Sequence, residues 1–142
     1  MRELVLHLNK RRKIMMSAVV ALSLMAIIVS YNFQITPTSY FDGKYNTYFL
    51  IGLVVYKLLE LPVLYYILLH RHVIYLKKNL SVSERLPKIK KHARLLLFLI
   101  PQGNTVFGII AYKLSGEVVY FLLFSLIALV TLLFVKPNKL MR

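Results

Sequence analysis

Polar and apolar positions along this chain separate into long blocks, unlike the short alternating stripes of a soluble helix or strand. A helix of about 20 mostly apolar residues crosses a bilayer. Four stretches come near that length: 15–33 (MMSAVVALSLMAIIVSYNF), 48–69, 95–112 (LLLFLIPQGNTVFGIIAY) and 118–135 (VVYFLLFSLIALVTLLFV). The helical pattern of the second can run on to Leu76. The third is the most polar and the fourth the most uniformly apolar. The pattern predicts an all-α fold: an integral membrane four-helix bundle forming a single polytopic domain over 1–142, with no internal repeat or linker.

The basic residues fall between these blocks, and their distribution orients them. Arg2, Lys10, Arg11, Arg12 and Lys13 precede the first span. The loop 70–94 carries Arg71, Lys77, Lys78, Arg85, Lys88, Lys90, Lys91 and Arg94, and the tail adds Lys136, Lys139 and Arg142. The two remaining connections hold only Lys44 and Lys113, a split of sixteen against two with Lys57 set aside as intramembrane. Basic residues are retained on the cytoplasmic side. Both termini and the central loop are therefore expected there (N-in, C-in), in a bacterial inner membrane or a plasma membrane. The first block has the basic start and apolar stretch of a signal peptide. Ser30-Tyr31-Asn32-Phe33 offers no small-x-small cleavage site, however, so it is read as an uncleaved span.

Composition adjusts this picture in a few places. A net charge of +14 on 142 residues would point to nucleic acid in a soluble protein. Here the charges flank apolar blocks, so no nucleic-acid partner is expected. Lys77, Lys78, Lys88, Lys90, Lys91 and Arg94 are expected to meet anionic lipid instead. Cysteine is absent, which excludes disulfides, thiolate metal sites and a cysteine nucleophile. Tryptophan is also absent, leaving Tyr45, Tyr48, Tyr112 and Tyr120 to anchor the outer boundary and Tyr65, Tyr66 and Tyr75 the inner one. His70, His72 and His92 lie among lysines and arginines without a neighbouring carboxylate, so they read as interface residues and no metal site is expected. Nucleotide-binding loops, catalytic triads and zinc spacings are missing, so neither an enzyme nor a cofactor is expected. In the central loop, Ser81-Val82-Ser83-Glu84 fits a helix capping box, and Pro87 is expected to interrupt that turn before the third span.

One feature conflicts with the apolar pattern. VVYKLLELPVLYY places Lys57 and Glu60 inside the second span, three residues apart and so on one helix face. A lone charge at the bilayer centre costs about 2.5–3.5 kcal/mol on insertion scales, whereas two opposite charges can pair and face protein. The third span carries Pro101-Gln102-Gly103-Asn104-Thr105 at matching depth. Lys57, Glu60, Gln102, Asn104 and Thr105 thus form the candidate intramembrane polar site, and Ser23 and Ser125 extend it toward a connected polar layer. Asn104, Gly108 and Ala111 make a small-residue stripe on the third span, and Ser17 with Ala21 another on the first, both suited to close helix packing.

Two functions are compatible with these residues. The first is a non-enzymatic accessory, assembly or interaction protein, acting within a larger membrane complex. The second is a homo-oligomeric transporter or channel for a small solute, ion or proton, with its site at the polar layer.

Overall fold

A computed structural model of the chain describes residues 2–33, 43–66 and 81–134. Those residues form four helices: α1 (Arg2–Asn32), α2 (Gly43–Tyr65), α3 (Val82–Ser115) and α4 (Val118–Phe134). Three carry stretches long and apolar enough to cross a membrane: Leu6–Asn32, Tyr45–Val63 and Pro87–Ser115. Over its 17 described residues α4 is as apolar but spans about 26 Å at 1.5 Å per residue, slightly short of the hydrocarbon core. The suggested extension of α2 to Leu76 lies outside the described residues.

Both α1 and α3 begin about thirteen residues before the expected spans. The cause is burial that continues through the basic segments. On α1, fully buried Leu8 lies on the same face as Met15 and Val19, seven and eleven residues on. On α3, Ile89, Ala93, Leu96, Leu97 and Ile100 make one buried stripe that starts well ahead of Leu95. Pro87 therefore does not interrupt the helix. It withholds one backbone donor in the second turn, and the stripe behind it carries the helix through. The part of the basic loop from 82 to 94 is thus helix.

At its start, the Glu84 carboxylate accepts hydrogen bonds from the Ser81 hydroxyl (2.7 Å) and the Ser81 backbone N–H (3.3 Å). At its end, Gly116 adopts φ 74°, the left-handed region open to glycine, and donates its N–H to the Tyr112 carbonyl at 2.8 Å. Glu117 N–H donates to the Ser115 hydroxyl at 3.0 Å, and the chain reverses into α4.

The α3–α4 hairpin is the centre of the packing. Gly108 lets the two helices approach closely: a Cβ there would stand 3.0 Å from the Phe121 ring and 3.4 Å from Phe124 Cβ. Toward the α1 side, Leu8, Val19, Leu61, Leu96, Leu97, Ala128 and Leu132 form one cluster. Toward the Gly116 turn, Leu50, Ala111, Leu114 and Phe124 form a second. There the Asn46 amide donates to the Leu114 carbonyl at 3.1 Å and ties α2 to the end of α3. Tyr45, Tyr48 and Tyr66 are exposed and Tyr120 is half-buried, while Tyr75 lies outside the described residues. Tyr112 is buried, because it shares the packed side of α3 with Ala111 and Leu114. On α1, Ser17 and Ala21 face outward and line an open groove against α4, so that stripe is not a packed helix contact.

Candidate functional site

Lys57 is 4% exposed, buried by the contact of α2 with α3. Its stem is long enough to carry the ammonium across to α3, where three features receive it. Nζ lies 2.5 Å from Glu60 Oε2, one turn along its own helix. It also sits 4.6 Å from the centre of the Phe107 ring, on the ring face. Finally, it rests over Gly103, where an added Cβ would come within 3.0 Å of Nζ. A larger side chain at Gly103 would displace the ammonium, so the glycine forms the notch.

Phe107 connects this seat to the rest of the bundle. Its ring centre is 5.9 Å from that of Tyr56 on α2 and 6.2 Å from that of Phe124 on α4. Gly103 and Phe107 are one turn apart and so present a single face to Lys57. Neither was among the candidate residues read from the sequence. Their signal was the 103/107 spacing opposite a lysine at matching depth, which is visible only once the register of α2 against α3 is known.

The other candidates divide. Asn104 is 1% exposed and donates its amide to the Ile100 carbonyl at 2.8 Å; its Oδ1 is buried and has no partner among the described residues. Thr105, half-buried, donates its hydroxyl to the Pro101 carbonyl at 2.8 Å. Gln102 is exposed, and this corrects its inclusion in the bundle-facing set. Ile100 and Asn104 are buried. Gln102, two residues from each at about 100° per residue, points away from both.

The connected polar layer is also revised. Of its two outer members, Ser125 is buried on α4, and Ser23 donates to the Val19 carbonyl four residues back on its own helix, as Ser115 does to Ala111 and Thr131 to Ile127. Short hydroxyl side chains on a helix reach that carbonyl more readily than a neighbouring helix. Lys57 crosses because its stem is long.

Of the residues expected to meet anionic lipid, Lys88 and Lys91 are exposed on α3, and Lys90 and Arg94 are half-buried. Lys77 and Lys78 lie outside the described residues, as do His70 and His72. The His92 ring nitrogen Nδ1 donates to the Lys88 carbonyl at 2.9 Å. Compared with known proteins, the chain matches no family model, no curated protein and no solved structure.

Proposed function

We propose that the chain is a four-span bundle with both ends on the cytoplasmic side, and that it works as a non-enzymatic interaction or assembly protein within a bacterial inner membrane or a plasma membrane. One observation carries the functional half: the intramembrane charge is taken up internally. The Lys57 ammonium is engaged by Glu60, the Phe107 ring and the Gly103 notch, an arrangement that fixes α2 against α3. Buried polar pairs of this kind set helix register in membranes. The outward surface supports the same reading. Of the apolar stretches, 6% of α1 and 17% of α2 is buried, against 44% of α3, so α1 and α2 offer most of their surface to lipid or to another membrane protein.

The orphaned Asn104 Oδ1, close to the lysine seat in sequence and depth, favours a second reading: a homo-oligomer that carries a small solute, ion or proton. Purification in a neutral detergent with mass determination tests the two. Co-purification of a defined foreign membrane protein at fixed stoichiometry is the expected result. A closed homo-oligomer without a foreign partner would overturn it in favour of the transporter.

A further inference from the structure

A different part of the molecule points to a ligand. Between Arg11 of α1 and the first half of α3 lies an open cavity of about 480 Å³, within the range of small-molecule sites. Its walls carry Arg11 from α1 and Lys90, Lys91 and Arg94 from α3, and none of its lining residues is acidic. Arg11, Lys90 and Arg94 are half-buried, so their charges are partly withdrawn from solvent while converging on one space. Like charges held together this way repel unless an anion joins them.

The position of Arg94 is fixed by a neighbour that leaves its charge intact. Its Nη2 donates to Nε2 of His7 across the α1–α3 contact at 3.0 Å; an arginine only donates, so that ring nitrogen is the acceptor. The Nε of the same guanidinium is buried and lacks a partner among the described residues. One guanidinium is thus oriented by a neutral group, with a donor unused.

Two arginine forks and two ammonium groups match the geometry and charge of a phosphate. The cavity then continues onto apolar surface. Leu95 and Phe98, one turn apart and 47% and 46% exposed, lead from the basic cluster along the outward side of α3. Arg94 directly precedes the apolar run of α3, and Arg11 lies one turn before that of α1. Both helices therefore bring their cations to one depth, the level of lipid headgroups.

We infer that this cavity is a specific site for a phosphate group, and that its occupant is an anionic phospholipid whose acyl chain lies along Leu95 and Phe98. The lipid half rests on the membrane reading above; the phosphate half does not. A site differs from diffuse attraction of lysines to a charged surface. It saturates, and it depends on Arg11 and Arg94 more than on exposed lysines carrying the same charge.

The test uses the full chain in a neutral maltoside detergent. It is titrated with dioctanoyl phosphatidylglycerol, dioctanoyl phosphatidylcholine and inorganic phosphate, and bound ligand is counted by native mass spectrometry. The expected result is one saturable phosphatidylglycerol, bound at least about tenfold more weakly by Arg11→Gln/Arg94→Gln. The charge-matched control Lys10→Gln/Lys13→Gln stays within about twofold, since those side chains are exposed and outside the cavity. Arg11→Gln alone, which leaves the Arg94–His7 contact in place, should also weaken binding, guarding against a misfolded double variant. Equal loss in the control pair, or non-saturable uptake, would overturn the site. Equal binding of phosphatidylcholine, whose phosphate is balanced by its own choline, would overturn the anionic occupant. Inorganic phosphate binding as tightly as phosphatidylglycerol would overturn the lipid occupant and leave a soluble phosphate site. Carbonate extraction of membranes separates the two readings: an integral protein without saturable binding refutes the site alone, and an extractable protein that binds phosphate refutes the membrane reading alone.

Discussion

Replacing Glu60 by leucine removes the carboxylate and leaves the Lys57 ammonium sealed against α3 with the Phe107 ring, among the described residues, to face it. Breaking a buried pair from one side costs about 3–5 kcal/mol. Lysine 57 is the more deeply buried partner, with 5% of its side chain exposed against 23% for Glu60, so orphaning it should be the worse of the two changes. Lys57→Met keeps an unbranched stem over Gly103 and a thioether beside the Phe107 ring. It loses a cation–π contact of about 0.5–2 kcal/mol and leaves the carboxylate unpaired, for a total near 1–3 kcal/mol. In Lys57→Met/Glu60→Leu both charges are gone, and stability should return to within about 1 kcal/mol of the original. Equilibrium unfolding in mixed micelles reads all four proteins, and the expected order of loss is Glu60→Leu, then Lys57→Met, then the double variant. If the double variant instead loses the sum of the singles, the two residues are uncoupled and the clamp does not exist. If it folds and accumulates normally but abolishes a cellular phenotype, the charges serve solute chemistry and the interaction reading fails.

Four further outcomes follow from the packing and the caps. Gly103→Val should destabilise by about 1–3 kcal/mol by pushing into the lysine seat, and Lys57→Ala in the same chain should remove much of that penalty; denaturation of the pair checks it. Gly108→Leu should split the α3–α4 contact at Phe121 with a loss of at least about 1–3 kcal/mol, seen as a lowered Tm in detergent. Gly116→Ala places a Cβ at φ 74° and should cost about 1–2 kcal/mol in the same assay. Hydrogen bonds from the Ser81 hydroxyl and then its backbone N–H hold the Glu84 carboxyl below its ordinary value of 4.5. Its contribution is therefore complete above pH 4.5 and lost as the pH falls through the depressed value, so amide exchange in the first turn of α3 should accelerate in acid, and less so in Ser81→Ala.

How much of this was legible before the structure varies by residue. Long apolar blocks are readable because a bilayer demands them, which is why three membrane-crossing lengths stand out. Extension of α1 and α3 into the basic segments was harder, since lysines and arginines there read as topological signals and mask the spacing of Leu8 to Val19 and of Ile89 to Ile100. The proximity of Lys57 and Glu60 is local, set by three residues on one helix. The Gly103 notch and the Phe107 ring depend on how α2 slides against α3, and nothing in either segment alone states that register. Gln102 was within reach: the buried positions Ile100, Asn104, Gly108 and Ala111 define a helix face that excludes it. Amide chemistry suggested a network where angular position did not permit one.

Four crossings of a bilayer with both ends inside can be tested directly. The chain has no cysteine, so single cysteines can be placed at Asp42, Asn79 and Arg142 and probed in intact cells with a membrane-impermeant maleimide. The sixteen-to-two distribution of basic residues predicts labelling of Asp42→Cys from outside, and of Asn79→Cys and Arg142→Cys only after permeabilisation. Labelling of Asn79→Cys in intact cells would contradict it.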